Sequence, residues 1–279
     1  MSVPSLLSRA ITAMERIAPL SYADHSWDNV GLLVDCPEPD PRRTTVAVCL
    51  DISPKVVEEC LKRNVGVLIA YHPVIFPNLK KLTAKDPKQL SLLRAIRGGI
   101  GIYTPHTALD NCPEGINWWI ASGVFQPGHG TSSCYIDEKT QQGLLVAGGC
   151  APPVMLGTVI HRMKSHFKVK TVRVALGTGH TLGTVVDSAG ICAGSGASLL
   201  RGLAGKVTAV LSGEIDHHTV LSITQQGTTC LLVEHGASER GYVKEVLVQK
   251  LRAELRKDMP FEDSDVIALE ADEEMIQYH

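Results

Sequence analysis

The sequence predicts an α/β protein whose sheets are mostly parallel. Short apolar segments rich in β-branched residues alternate with helical patterns of about ten residues along most of the 279-residue chain. Strands separated by helices imply parallel pairing through right-handed crossovers. Residues 126–153, rich in Gly, Pro, Gln, Ser and Thr, interrupt this alternation. We therefore predict an N-terminal α/β half (1–125), a connecting segment (126–153) and a C-terminal α/β half with an acidic tail (154–279).

Composition argues against several functional classes. The chain is 44% apolar, which is enough for a substantial core. Lys and Arg total 27 against 29 Asp and Glu, so the basic excess that binds a phosphate backbone is missing and we expect no nucleic-acid partner. No apolar run approaches the ~18 residues of a membrane span, so we expect no membrane association. The eight cysteines are scattered without a Cys-x-x-Cys motif, which is typical of a reduced intracellular protein.

The N-terminal half is predicted to begin with a helix, Pro4 to Ile17. Its amphipathic pattern would also suit a mitochondrial presequence, but Glu15 and the direct continuation into folded sequence favour a structural helix. We expect the cytoplasm as the location, with the nucleus and the mitochondrion left open. Trp27 to Gly31 is interpreted as a turn with an aromatic anchor. The remaining predicted elements of this half are strand 44–51, helix 54–64 with Ser53 as N-cap, strand 65–70, helix 87–97, strand 99–104 and helix 115–123.

The C-terminal half repeats the same alternation. Its predicted elements are helix 156–166, strands 171–176 and 185–193, helix 197–203, strand 207–211, helix 216–226, strand 228–233 and a helix from about Ser238 to Leu255. Residues 266–269 are predicted as an edge strand. The last eight residues are expected to form a solvated acidic tail.

Side chains that bind metals fall at the ends of predicted strands in the first half. Tyr71 and His72 follow strand 65–70, and the proline after them keeps His72 out of helical geometry. His106 follows strand 99–104, and Asp110 lies four residues further on. Because ligands of open parallel sheets bind beyond the carboxyl ends of strands, these loops can converge.

The second half places similar side chains at its strand ends. Glu214 follows strand 207–211, with His217 and His218 just beyond it. His235 ends strand 228–233, and Glu239 lies four residues later, on the same side of a helix start. Taken alone, that pair is better explained as a hydrogen-bonded surface pair, but further donors at equivalent strand ends favour a metal site.

The donors together have a definite metal preference. The set that we predict to converge is His72, Asp110, His235 and Glu239. Two imidazoles and two carboxylates suit zinc, manganese or iron, and the absence of thiolate argues against a closed structural zinc site.

The loop Gly194, Ser195 and Gly196 lies between a strand and a helix start. Its backbone N–H groups could hold an anion. It could equally be a turn that needs small residues for close packing, because it lacks the lysine of a P-loop and the spacing of a dinucleotide fingerprint. Both interpretations stay open.

Six ordered motifs carry a resemblance to a known family. They are W-D-N-V-G-L (27–32), Y-H-P-V-I-F (71–76), H-T-A-L-D (106–110), C-A-G-S-G-A-S (192–198), S-G-E-I-D-H-H (212–218) and E-H-G-A-S-E-R-G (234–241). The chain resembles the Nif-three-like (Ngg-one-interacting factor three) family, also known as GTP cyclohydrolase type 2 homologs, over nearly its whole length. The resemblance implies two related α/β domains with a two-metal centre in the cleft between them. It also implies homo-oligomers, either dimers or hexameric rings.

The resemblance also implies site residues. The metal ligands carried over by position are His72, Asp110, His235 and Glu239. Tyr71 departs from the pattern, because bacterial members place a histidine there and a phenol with a pKa near ~10 is a poorer ligand at neutral pH. We therefore expect one ion, or two with the second position weakened. Animal relatives resemble this chain in having Tyr here, and residues 126–153 are too short for the domain that many longer members insert.

Two functions of different classes follow. In the first, the protein is a metal-dependent hydrolase of a nucleotide-like or phosphorylated small molecule, with His106 or Glu214 as the proton carrier. The cyclohydrolase label of the family supports such a substrate only by analogy. His106 could instead be a ligand or could orient one, and His217 could support the site or face solvent. In the second, the chain is a non-enzymatic oligomeric scaffold that binds transcription-related partners and keeps a degraded site, an interpretation that Tyr71 favours.

Overall fold

The computed structural model divides the chain into two compact units. It describes residues 5–76, 79–125, 145–148, 154–258 and 266–277. The first unit comprises Met1–Cys112 and Arg240–Met275, and the second comprises Pro113–Glu239 and Ile276–His279. Most of the predicted connecting segment lies outside the described residues.

The first unit alternates strands and helices from its N-terminus. Its elements up to residue 112 are α1 (Leu6–Ile17), a 3₁₀ turn (Leu20–Tyr22), β1 (Gly31–Val34), β2 (Thr45–Cys49), α2 (Pro54–Lys62), β3 (Val65–Ala70), α3 (Pro87–Arg97), β4 (Gly101–Thr104) and α4 (Thr107–Asn111). The predicted start of α2 is confirmed, because the Ser53 side chain accepts a hydrogen bond from the Val56 N–H and proline occupies the first turn. Strand β1 and the five-residue helix α4 were not predicted.

The second unit follows the same pattern. Its elements are α5 (Ile116–Phe125), β5 (Leu145–Gly148), β6 (Val154–Met155), α6 (Leu156–His166), β7 (Arg173–Ala175), β8 (Val185–Val186), β9 (Ser188–Ser195), α7 (Ala197–Leu200), a 3₁₀ turn (Arg201–Leu203), β10 (Ala209–Glu214), α8 (His217–Gln225), β11 (Thr229–Leu232) and α9 (His235–Gly241). The predicted strand 185–193 is two strands, β8 and β9.

The chain then returns to the first unit, which the predicted division at residues 125 and 154 did not anticipate. A π-helical segment (Tyr242–Leu247) leads into α10 (Val248–Asp258) and then β12 (Val266–Ala268). β12 is an edge strand, as predicted, but it pairs in parallel with β2 of the first unit. Helix α10 packs against α1. These two long-range contacts explain why residues 240–275 belong with the N-terminal segment.

Each unit is built on a five-stranded mixed sheet in which the central strands are parallel. The first sheet has the order β1-β4-β3-β2-β12, with β1 antiparallel to β4. The second has the order β5-β9-β10-β11-β7, with antiparallel strands at both edges. The predicted α/β class with mostly parallel sheets is therefore confirmed. The carboxyl ends of β2, β3 and β4 meet at one edge of the first sheet, and those of β9, β10 and β11 at one edge of the second.

Both cores are apolar and hold reduced cysteines. Among the cysteines that the structure describes, none forms a disulfide. Burial raises the pKa of Cys60 in the first unit and of Cys230 in the second to about 12. Both thiols are therefore protonated and inert at neutral pH, as expected for packed cysteines.

In the described part of the chain, every helix is too short or too polar to cross a membrane.

Candidate metal centre

His72 lies at the carboxyl end of β3 and is held by a carboxylate from the neighbouring strand. Its backbone N–H donates to the Leu50 carbonyl at 3.0 Å, which continues the pairing of β3 with β2. Its side-chain Nδ1 lies 2.9 Å from Asp51 Oδ1. An imidazole that donates from Nδ1 carries its lone pair on Nε2, and metal-binding histidines are commonly oriented in this way. The sequence interpretation missed Asp51, although it ends predicted strand 44–51 just as His72 follows predicted strand 65–70.

Tyr71 occupies the position where a histidine was expected and contacts a predicted ligand. Its buried phenol donates to Asp110 Oδ1 at 2.6 Å. Asp110 lies on α4, which begins directly after His106. The phenol therefore orients the Asp110 carboxylate.

His106 is paired with a buried carboxylate, Asp28. Its Nδ1 lies 2.8 Å from Asp28 Oδ1, and the Asp28 side chain is 0% exposed. Burial raises the pKa of Asp28, but hydrogen bonds from His106 and Thr107 outweigh burial and lower the pKa overall. The backbone of His106 has φ +27°, a conformation that costs energy for a residue with a Cβ. Asp28 was missed because it lies in a loop, where periodicity carries no signal.

Aromatic rings surround His106. The ring centroids of Tyr71 and His72 lie 5.4 and 5.7 Å from that of His106. Those of Trp27 and Phe76 lie 5.9 and 6.5 Å away, both nearly perpendicular to the imidazole. Trp27 is thus part of a ring cluster and is more than the anchor of a turn.

In the second unit, His235 and Glu239 share one helical turn. Helix α9 begins at His235, three residues earlier than the predicted start near Ser238, so Gly236 lies within the helix. The turn is made by Glu234, which has φ +79°. His235 Nε2 lies 3.5 Å from Glu239 Oε1, and the Glu239 side chain is buried. On its other side, His235 Nδ1 lies 2.9 Å from Glu214 Oε1. Glu214 ends β10, so a neighbouring strand again supplies the carboxylate that orients the histidine.

The loop at Gly194 provides space for this pair. A Cβ added at Gly194, where φ is +60°, would lie 2.4 Å from Glu239 Oε1 and 3.0 Å from His235 Nε2. The N–H of Gly194 donates to Ser238 Oγ at 2.8 Å, and that of Gly196 donates to Ser212 Oγ at 3.0 Å. These bonds use two of the three backbone N–H groups that the loop could offer to an anion. They favour the close-packing interpretation of the loop over the anion-binding one.

His217 and His218 lie in the first turn of α8 and are exposed. Their rings contact each other at 5.4 Å between centroids. Asp216 caps the helix by accepting a hydrogen bond from the Thr219 N–H at 3.0 Å. Exposure at a helix start agrees with the interpretation that these histidines face solvent.

The donor chemistry of each unit suits a transition metal. Two donors at ~2.1 Å from one ion with tetrahedral geometry lie about 3.4 Å apart. The 3.5 Å between His235 Nε2 and Glu239 Oε1 matches that spacing. In the first unit, His72 has the carboxylate-bound Nδ1 that is typical of a metal ligand. His72 in the first unit and the pair His235 and Glu239 in the second thus offer donor atoms of the kinds that hold a metal ion.

Asp272, from the predicted solvated tail, is buried and supports the first unit near His72. Its carboxylate accepts a hydrogen bond from the Leu50 N–H at 2.9 Å and forms an ion pair with Arg240. Leu50 precedes Asp51, the partner of His72, and Arg240 follows Glu239 in the chain. The prediction that the last eight residues are a solvated tail is therefore wrong for Asp272, because its charge is satisfied by these partners.

Comparison with known proteins identifies relatives of the whole chain. A sequence model of the Duf34/NIF3 (NGG1p interacting factor 3) family matches residues 5–272. The chain is 33% identical to the protein NIF3 homolog of Schizosaccharomyces pombe over 281 residues, which covers 98% of both chains. It is 29% identical to the NGG1-interacting factor 3 of Saccharomyces cerevisiae over 263 residues, 89% of this chain and 91% of the other. The Staphylococcus aureus hypothetical protein SA1388 has the same fold, with a TM-score of 0.81 at 22% identity over 99% of this chain and 100% of that one.

Proposed function

The chain belongs to the Duf34/NIF3 family, and we propose that it is a metal-dependent hydrolase of a nucleotide-like or phosphorylated small molecule. The observation that carries the proposal is that His72 and His235 each donate from Nδ1 to a carboxylate, Asp51 and Glu214 respectively. This arrangement fixes the tautomer and directs Nε2 towards an ion. It occurs at the carboxyl ends of parallel strands, where α/β proteins bind their ligands.

We infer that a divalent ion of zinc, manganese or iron binds to the predicted ligands, which are His72 and Asp110 in the first unit and His235 and Glu239 in the second. When bound, such an ion would polarise a substrate oxygen or lower the pKa of a water molecule. A second ion would have a weaker position, because Tyr71 donates to Asp110 where another imidazole would otherwise coordinate.

His106 is the residue that we assign to proton transfer. Its Nδ1 lies 2.8 Å from the fully buried Asp28 carboxylate, which fixes the orientation of the ring. Glu214, the alternative proton carrier, is assigned a different role, because its carboxylate accepts a hydrogen bond from His235 Nδ1 and thereby orients a ligand.

Metal analysis tests the ligand set. Native protein purified without chelators is expected to carry a transition metal, and an Asp110→Ala, Glu239→Ala double variant is expected to lose it. Circular dichroism shows whether the variant remains folded. Equal metal content in the two folded proteins would remove the proposal.

A hydrolysis screen tests the activity. Nucleotides and phosphoesters are offered to the protein with added manganese or zinc, and any turnover is expected to disappear in His235→Ala. His106→Ala is expected to lower turnover while metal content stays unchanged. Turnover that survives His235→Ala would come from a contaminant or from another site.

The alternative function is an oligomeric scaffold for a transcription-related partner. The yeast relative is named as an interacting factor of NGG1, and Tyr71 takes the place of a donor. Stoichiometric metal without any turnover, in a protein that forms a dimer or hexameric ring by light scattering, would favour this function over hydrolysis.

A further inference from the structure

Two large aromatic rings remain exposed beside His106. Trp27 is 53% exposed and Phe76 is 39% exposed. Their centroids lie 6.2 Å apart and their planes meet at 78°. A single exposed aromatic side chain needs no explanation, but two that form a right-angled corner next to a histidine held by a buried carboxylate do.

The corner is rigid, because hydrogen bonds fix the loop that carries Trp27. The indole Nε1 donates to Asp24 Oδ2 at 2.9 Å. The Asp24 backbone N–H donates to Thr107 Oγ1 at 3.0 Å, and Thr107 Oγ1 donates to Asp28 Oδ2 at 2.5 Å. Trp27 is therefore connected to the residue that follows His106. Its orientation is determined before any ligand arrives, which lowers the entropic cost of binding.

A hydrogen bond also holds the backbone next to Phe76. The Asn29 side-chain amide donates to the carbonyl of Ile75, the residue before Phe76, at 2.6 Å. The motifs that contain Trp27 and Phe76 are thus joined by a hydrogen bond that does not involve either ring.

The hydrogen bonds and ring orientations at this corner indicate which kind of ligand would fit. Because the indole N–H is already bonded to Asp24, Trp27 offers the face of its π system and no donor. Both exposed rings stand nearly perpendicular to the His106 imidazole, which can hydrogen-bond a polar edge. A partner that satisfies both features is flat, with heteroatoms on its rim.

We propose that Trp27 and Phe76 form a stacking site for a planar nitrogen heterocycle of nucleobase size, whose polar edge faces His106. The stacking site deepens the proposed function. It rests on that function only for the reaction that would take place beside the bound ring. It assigns ring recognition to the first unit and names Trp27 as its main contact.

Binding of guanosine and adenosine monophosphates, measured by calorimetry on the full chain as purified, tests the site. Ribose 5-phosphate serves as the ringless probe. Trp27→Leu, which keeps an apolar side chain but removes the π face, is expected to weaken nucleotide binding roughly 5- to 150-fold. Trp27→Phe is expected to restore most of it. Ribose 5-phosphate should bind weakly and equally to all variants.

Trp118→Leu is the matched control, because this tryptophan of α5 in the second unit is 40% exposed. It should leave nucleotide binding unchanged. Melting temperature and metal content are measured on every variant, so loss of the fold or of the ion is distinguished from loss of the ring contact. Unchanged binding in Trp27→Leu, an equal loss in Trp118→Leu, or the absence of nucleotide binding by native protein would overturn the proposal. Nucleotide binding without metal or turnover would uphold it while removing the hydrolase.

Discussion

The two units place histidines at the same edge of similar sheets, yet they surround them differently. In the first unit, His72 and His106 are supported by Asp51 and Asp28 and lie among aromatic rings. In the second, His235 and Glu239 share a helical turn against Gly194, where an added Cβ would lie 2.4 Å from Glu239 Oε1. Parallel strands therefore determine where the donors lie, while the surrounding side chains determine their use. We interpret the ring-lined region of the first unit as suited to substrate and the close-packed region of the second unit as suited to a tightly held ion.

The largest expected effect is that of Gly194→Ala on the second unit. The new Cβ would lie 2.4 Å from Glu239 Oε1 and would displace this carboxylate, so we expect metal affinity to fall by about 100-fold. Gly179→Ala is the matched control, because Gly179 also has positive φ but has nothing within 4 Å of its added Cβ. Both variants should lose about 1–2 kcal/mol of unfolding free energy from the backbone conformation. Equal metal affinity in the two would show that the packing at Gly194 is irrelevant to the ion.

The next prediction compares the effects of the two orienting carboxylates on metal affinity. Asp51→Asn and Glu214→Gln each replace the acceptor of a histidine Nδ1 proton. We expect each to weaken metal binding by roughly 10- to 100-fold, measured by competition with a chromophoric chelator. An effect of Glu214→Gln alone would mean that the ion belongs to the second unit and that His72 is not a ligand.

A smaller effect is expected from Tyr71→Phe. It removes a 2.6 Å hydrogen bond to Asp110, and bonds to charged groups contribute about 1.5–3 kcal/mol to stability. Tyr103→Phe is the control within the same unit, since this buried phenol donates to Glu15 over a longer 3.2 Å. Urea denaturation should show a greater loss for Tyr71→Phe. Only that variant should also change metal affinity, and a change in Tyr103→Phe would indicate a general effect of core phenols.

The smallest effect concerns the acid stability of the first unit. The pKa of Asp28 is lowered in the folded protein from its ordinary value of 3.8, so its contribution to stability is present above that value. The contribution is lost as the pH falls through the lowered folded-state pKa. In Asp28→Asn, the dependence of unfolding free energy on pH should therefore be flatter in this acid range than in the native chain. Identical slopes would show that the pairing with His106 does not stabilise the fold.

Local patterns predicted much of the fold. The bounds of β3, α3 and α6 agree with prediction because apolar periodicity, proline at a helix start and capping residues act within a few positions. The predicted start of α9 was wrong because Glu234 makes the turn before it in a left-handed conformation. A glutamate in the sequence does not indicate such a turn. Helix α4 is too short for periodicity to identify.

The candidate site was less predictable, because its supporting residues are distant in sequence. The rule that polar residues end parallel strands identified His72, His235 and Glu214, and applied consistently it would also have identified Asp51. Asp28 and Asp272 could not be found in this way. Their partners, His106 and Leu50, lie 78 and 222 positions away, and only folding brings them together.

The pairing of β12 with β2 has a consequence for biosynthesis. During translation, the main segment of the second unit ends at Glu239, whereas the first unit lacks its edge strand and the Asp272 carboxylate until residues 240–275 have been made. We therefore expect the nascent chain to fold the main segment of the second unit while the sheet of the first unit still lacks its edge strand β12. Nascent chains of which residues 1–258 have left the ribosome should resist proteolysis more in the second unit than in the first.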